Sequence, residues 1–181
     1  MSRGELFNAR RSPLRRSLGT WAISAAGGVV SNQSYTNGLA EWFTVNTGQT
    51  LTVTALALYT NNGAATNGNA VVVIWETTSG NPVAGATATF STGGSYPLVA
   101  GTYRSITLGS PVVLGPGSYA IGAYTNINNY NVQAGGNVFT LSTFGGRVTW
   151  GSGRFSGTLG VLPSGSAGAA PQYALATFLG F

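Results

Sequence analysis

Arginine is the side chain with which this sequence could do most of its chemistry. The first 16 residues hold five arginines against one glutamate, which gives this segment a net charge of +4; these arginines are Arg3, Arg10, Arg11, Arg15 and Arg16. A guanidinium group is always charged and forms bidentate hydrogen bonds with carboxylates and phosphates. We therefore expect a basic N-terminal arm that binds an anionic partner.

The anionic partner of this arm could be a protein or a nucleic acid. Docking into an acidic groove on a neighbouring protein subunit is the favoured hypothesis, and sequence-independent binding to a packaged nucleic acid is the alternative. A merely solvated tail is the third hypothesis. The arm also resembles a twin-arginine export signal, but the apolar run AISAAGGVV that follows is short and broken by glycines, so we expect the arm to be retained.

Groups that could act as general acids, bases or metal ligands are scarce. The sequence contains no His, Cys, Asp or Lys, and its three acidic residues are Glu5, Glu41 and Glu76. A two-carboxylate glycosidase would have to use Glu41 and Glu76, because Glu5 belongs to the basic arm. Zinc sites need Cys and His, and calcium sites need clustered oxygen ligands. We expect no enzymatic activity, no metal and no cofactor.

Aromatic side chains are the remaining candidates for ligand binding. Tyr124 precedes the asparagine-rich stretch TNINNYN, Tyr130 lies within it, and Trp150 ends a strand-like segment before GSG. Such residues could stack on a sugar ring, so Tyr124, Tyr130 and Trp150 are candidate ligand-stacking residues for a glycan. By contrast, Trp42 and Trp75 lie in apolar segments and are expected in the core.

The elements that would position these residues are predicted to be β-strands. Segments rich in β-branched and aromatic residues alternate with Gly/Asn/Ser turns, and no helical period is sustained after residue 40. The expected strands are 41–47, 51–60, 69–78, 82–91, 102–108, 110–114, 118–126, 137–144, 147–150 and 172–181, with a Gly/Ser-rich loop at 151–170. This spacing predicts an all-β fold, a jelly-roll-like antiparallel β-sandwich of eight to ten strands with an extended basic N-terminal arm.

Charge and composition divide the chain into two parts. Residues 1–40 are predicted to form the basic arm and an extended linker with a possible short strand near its start, and residues 41–181 to form one β-sandwich domain. Residues 17–181 carry three arginines and two glutamates, a net charge of +1. No apolar run reaches the roughly 18 residues of a membrane-spanning helix, so no membrane partner is expected.

The middle of the chain resembles a bacterial extracellular β-sandwich domain of unknown function. The resemblance covers about residues 51–126 and is carried by VTALALYTNNG, AVVVIWETTSGNPVAGATATF and YRSITLGSPVVLGPGSYAIGAYT; the best matches are Trp75, Ala86, Thr87, Pro111, Gly117, Tyr119 and Tyr124. In composition and architecture the chain is also similar to jelly-roll-like accessory proteins of tailed-phage virions. The resemblance implies a fold and carries no activity with it.

Taken together, the sequence predicts a virion structural protein, a capsid decoration protein or another accessory head or tail protein of a bacteriophage. Its expected partners are capsid or tail subunits, bound through the arm, and further copies of itself in a homo-oligomer. One alternative is an extracellular glycan-binding or adhesive module. Another is a jelly-roll capsid subunit whose arm contacts the genome.

Overall fold

The computed structural model describes residues 19–25, 37–60, 69–99, 103–125, 139–168, 173 and 175–181. Within these ranges all regular structure is β-strand. The strands are β1 (Thr20–Trp21), β2 (Ile23–Ala25), β3 (Gly38–Val45), β4 (Leu51–Tyr59), β5 (Ala70–Glu76), β6 (Pro82–Phe90), β7 (Leu98–Val99), β8 (Tyr103–Leu114), β9 (Gly117–Thr125), β10 (Phe139–Leu141), β11 (Val148–Ser156), β12 (Gly165–Ser166) and β13 (Ala176–Gly180).

The strands form two main antiparallel sheets and a short two-stranded ribbon. The five-stranded sheet has the order β1-β13-β4-β8-β7, the six-stranded sheet has the order β12-β11-β3-β9-β5-β6, and β10 pairs with β2. Eight strands within the described ranges have five or more residues. The predicted all-β antiparallel sandwich is confirmed.

Alternation along the strands directs one set of side chains between the two sheets. On β3, for example, Leu39, Phe43 and Val45 enter the main core, and the matching residues of β4 are Leu51, Val53 and Leu58. Phe43 and Phe178 come from opposite sheets, and their ring centroids lie 5.4 Å apart. Burial of these large apolar side chains is the main stabilising contribution.

The six-stranded sheet is also apolar on its outer face. Ala40, Val73, Trp75 and Ala120 form a second buried cluster there, and Leu162 packs against it from the segment that follows β11. Strand β5 is therefore covered on both faces, as its run VVVIW predicts. At Gly122 on the same face, a Cβ atom would lie only 2.2 Å from the carbonyl oxygen of Leu39, so this close packing requires glycine.

Large bulges interrupt β6 and β8, which belong to different sheets and contact each other. Residues 83–86 of β6 lie opposite Ile74 alone, and residues 108–111 of β8 lie opposite Thr54 alone. The two bulges meet where a Cβ atom on Gly85 would lie 3.3 Å from a methyl group of Val112, and the φ angle of Gly85 is +78°. Such bulges bend a strand and interrupt its hydrogen bonding.

The strand bounds differ from the predicted ones in two places. Strands β1 and β2 lie near the start of the segment assigned to the linker, where one short strand was expected, and β3 begins at Gly38, three residues before Glu41. Ala22 and Ile23 are fully buried. Strand β11 continues to Ser156 through residues that were expected to form a loop, because pairing with β3 satisfies its backbone groups.

Candidate functional site

The five arginines of the predicted arm, Arg3, Arg10, Arg11, Arg15 and Arg16, lie outside the described residues. The described body carries three further arginines, and two of them have structural contacts. Arg104 donates a 2.7 Å hydrogen bond to the carbonyl oxygen of Tyr96. Arg154 lies over the ring of Trp42, with the guanidinium carbon 4.7 Å from the ring centroid, an attractive cation–π geometry. These two side chains stabilise the fold of the body.

The third arginine, Arg147, is exposed at one end of the sandwich. It lines a cavity of about 220 Å³ whose other walls are Thr20, Ser142, Phe144, Gly145, Gly180 and Phe181. The side chain of Arg147 makes no hydrogen bond or ion pair with the residues that the structure describes. Its guanidinium group is therefore available at the cavity mouth, beside the hydroxyl-bearing residues Thr20 and Ser142.

A tight turn between β10 and β11 positions Arg147. The backbone N–H of Phe144 donates to the Ser142 hydroxyl at 3.1 Å, and Phe144 adopts a left-handed conformation with a φ angle of 51°. Its ring stacks on Phe178, with the centroids 5.6 Å apart and the planes 7° apart. Asn46 then fixes the far side of the turn by donating to the carbonyl oxygen of Gly146 at 2.8 Å.

Of the predicted ligand-stacking residues, the structure describes Tyr124 and Trp150, which lie on opposite faces of the six-stranded sheet. Trp150 packs against the main core, and its ring centroid lies 5.4 Å from that of Phe43. Its indole N–H donates a 2.8 Å hydrogen bond to the carbonyl oxygen of Ser142. Tyr124 lies on the opposite face of the same sheet, where its ring centroid is 6.5 Å from that of Trp75. Tyr130 lies outside the described residues. The structure therefore separates Trp150 from Tyr124.

The two glutamates of the body have different environments. Glu41 is 1% exposed and accepts a hydrogen bond from the backbone N–H of Tyr173. Glu76 is exposed and accepts a 2.7 Å hydrogen bond from the Ser79 hydroxyl. Glu41 lies opposite Ile121 on β9, and Glu76 lies opposite Tyr119.

The strand register also fixes how far apart the two glutamates lie. Glu41 and Glu76 lie on strands separated by β9, and Glu76 lies two residues along β5 from the residue level with Glu41. Their Cα atoms are therefore about 12 Å apart, and the two carboxylates are not neighbours in the sheet. Instead, Glu76 lies near Tyr119, whose pKa is raised by burial and, secondarily, by the negative charge of Glu76.

A second depression follows the bulges of β6 and β8. It is a groove lined by Val83, Ala84, Gly85, Pro111 and Val113, and an adjoining cavity ends at Glu76. Val113 is 62% exposed. The walls are mainly apolar, and the groove offers one carboxylate at one end.

Two kinds of feature are absent from the described ranges: a cluster of metal-binding side chains and a helix that could cross a membrane. No three or more side chains of His, Cys, Asp and Glu lie together there in an arrangement that could hold a metal ion. The part of the chain that the structure describes also contains no helix with the length and hydropathy needed to cross a membrane.

Sequence reasoning missed the cavity at Arg147. The signal available was the first charge after the neutral residues 105–146, directly after the turn sequence FGG. Its neighbours Thr20 and Phe181 come from the two distant ends of the body, and only the pairing of β1 with β13 brings them together.

Comparison of the sequence with protein-family models gives no match, and comparison with curated proteins gives none either. The resemblance to extracellular and phage β-sandwich proteins therefore stays a prediction.

Proposed function

We propose that this protein is a non-enzymatic structural protein of a virion, a β-sandwich attached to another virion subunit by its arginine-rich N-terminal arm. The observation that carries the proposal is the distribution of charge. The first 16 residues have a net charge of +4, whereas all later residues together have a net charge of +1. Such a concentration supports one anionic docking partner for the arm and a nearly neutral body.

The edges of both sheets support attachment through the arm. The five-stranded sheet ends at β1 and β7, and the six-stranded sheet ends at β12 and β6. Strands β1, β7 and β12 have two residues each, and β6 begins with a proline and contains the large bulge. Short or bulged edges disfavour pairing with strands of another chain, so the body is poorly suited to assembly by edge pairing.

The environments of the two glutamates support a non-enzymatic body. Glu41 holds the backbone of Tyr173, and Glu76 holds the Ser79 hydroxyl in the turn after β5. General acid–base catalysis needs titratable groups that reach one substrate together. The virion assignment itself rests on the similarity in composition and architecture to accessory proteins of tailed-phage particles.

The test is the location of the protein in a culture that produces the particles. We expect density-gradient-purified particles to contain the protein by mass spectrometry and to bind antibodies against its body. The matched variant replaces Arg10, Arg11, Arg15 and Arg16 with Ala. Because it changes no described residue of the body, it should fold with an unchanged melting temperature and be missing from the particles.

Two results would contradict the proposal. The first is a protein that is abundant in the culture but never found in the particle fraction. The second is normal incorporation of the fourfold arginine variant, which would remove the role of the arm. A glycosidase and esterase screen completes the test, since activity lost in Glu41→Gln or Glu76→Gln would identify an enzyme.

A further inference from the structure

The cavity at Arg147 lies at the N-terminal end of β1, close in sequence to the basic arm. Thr20, the first residue of β1, lines this cavity. Arg15 and Arg16 precede Thr20 by five and four residues, so chain connectivity alone keeps their Cα atoms within about 18 Å of it. A partner that binds the arm can therefore reach Arg147 as well.

The cavity has the chemistry of a site for a carboxylate beside an apolar group. Arg147 provides an exposed guanidinium group, and Thr20 and Ser142 provide hydroxyl groups that can donate to an anion. Phe181, which is 42% exposed, and Phe144 provide apolar walls. An acidic side chain next to an aliphatic or aromatic one fits this combination.

A second copy of the chain is a poor source of that carboxylate. The sequence has three acidic residues, and Glu5 lies within the basic arm. Glu41 is 1% exposed and faces the inside of the sandwich. Glu76 is then the one exposed carboxylate side chain in the described part of the sequence, against five arginines in the arm and Arg147. Most of the counter-charges therefore come from a different macromolecule.

A protein fits this surface better than a nucleic acid does. Nucleic acids are bound along rows of basic side chains that follow successive phosphates. The body offers no such row, because Arg104 and Arg154 have contacts within the fold and Arg147 stands apart from both. A single cation beside two hydroxyl groups and two phenylalanine rings suits one side chain of a peptide.

We infer that the cavity formed by Thr20, Ser142, Phe144, Arg147 and Phe181 is the body's part of the docking surface, and that it binds an acidic side chain, flanked by an apolar one, from a different protein. This inference rests on the proposed function, because it assigns a partner class to the protein that the arm binds. Arg147 anchors the partner at the end of the sandwich, and the arm supplies the remaining charge.

The experiment measures binding of a fluorescein-labelled poly-glutamate peptide containing one phenylalanine to the full chain, by fluorescence anisotropy at low salt. Arg147→Gln should weaken binding by about three- to tenfold, which is typical of losing one charge-assisted contact. Arg147→Lys should retain part of the affinity. The control is Thr87→Glu, which lowers the net charge equally at an exposed site on β6; it should change binding less than Arg147→Gln.

The outcomes separate this inference from the proposed function. Equal weakening by Arg147→Gln and Thr87→Glu would overturn the inference, since only net charge would then matter. If a single-stranded oligonucleotide binds more tightly than the poly-glutamate peptide, and its binding depends on Arg147 in the same way, the choice of a protein partner is overturned. If the fourfold arginine variant of the arm binds the peptide like the unchanged protein while Arg147→Gln loses affinity, the cavity is a binding site. The proposed attachment through the arm is then contradicted.

Discussion

Two polar side chains connect segments of the body that are far apart in sequence. The Thr177 hydroxyl accepts a 2.7 Å hydrogen bond from the backbone N–H of Ile23, and the Glu41 carboxylate accepts one from the backbone N–H of Tyr173. Both acceptors are buried. Because a buried N–H without an acceptor is costly, these two side chains hold together segments from the first and last parts of the body.

Replacement of Glu41 tests whether its role is structural. In Glu41→Ala, the partly buried N–H of Tyr173 loses its acceptor and a cavity opens, so the free energy of unfolding should fall by about 2–3 kcal/mol. Glu76→Ala is the matched control at an exposed position, with an expected change of no more than about 0.5 kcal/mol. Urea unfolding followed by tryptophan fluorescence measures both. Equal effects would show that Glu41 is not a structural anchor.

The environment of Glu41 could be read only partly from the sequence. Period-two alternation places Glu41 on the same face as Leu39 and Phe43, the core face of β3. A carboxylate on a core face conflicts with the apolar pattern unless it has a hydrogen-bond donor, and its donor, the backbone N–H of Tyr173, lies 132 residues later. Local patterns contain no information on such a contact, and the same is true of the cavity at Arg147.

At the scale of the elements, long alternating strands were predictable and short ones were not. Strands β4, β5 and β9 match the predicted segments closely because their runs of β-branched and aromatic residues are long. Strands β1 and β2 have two and three residues, too few to show a period. They exist because β13 and β10 provide their hydrogen-bonding partners.

Truncation distinguishes the arm from these first strands. Removal of residues 1–18 should leave the melting temperature nearly unchanged, because β1 begins at Thr20. Removal of residues 1–30 also deletes β1 and β2 with the fully buried Ala22 and Ile23. That loss of apolar burial should lower the free energy of unfolding by at least about 3 kcal/mol.

Differential scanning calorimetry of the two truncated proteins provides the comparison. The shorter truncation serves as the control, because it removes the same arginines and leaves both strands. Equal melting temperatures for the two proteins would show that β1 and β2 do not contribute to the fold.

At the scale of the whole molecule, we expect two buried tyrosines to lower the stability at alkaline pH. Tyr59 and Tyr103 lie opposite each other on β4 and β8, with ring centroids 5.6 Å apart. Burial raises the pKa of Tyr103 far above its usual value of 10.0, and the neighbouring Tyr59 raises it further. Burial also raises the pKa of Tyr59. In the unfolded chain both phenols ionise near pH 10.

The sign of the pH dependence follows from these raised pKa values. The folded state keeps the protons that the unfolded state releases, so the stability is fully present below about pH 10 and is lost as the pH rises above it. Each such tyrosine should contribute a slope of about 1.4 kcal/mol per pH unit. Tyr103→Phe should therefore give a shallower decline between pH 10 and 12, measured by urea unfolding at each pH. Identical slopes would contradict this assignment.

The pairing of β1 with β13 determines how mechanical force would enter the molecule. Thr20 and Trp21 are hydrogen-bonded alongside Gly180 and Leu179, and the next two residues are buried between the sheets. A pull on the arm is thus carried first by the β1–β13 hydrogen bonds and then by the buried side chains of Ala22 and Ile23. The strands that receive this load, β13 and then β4, are interior strands of the five-stranded sheet, so tension on the tether passes into that sheet and not onto a free edge.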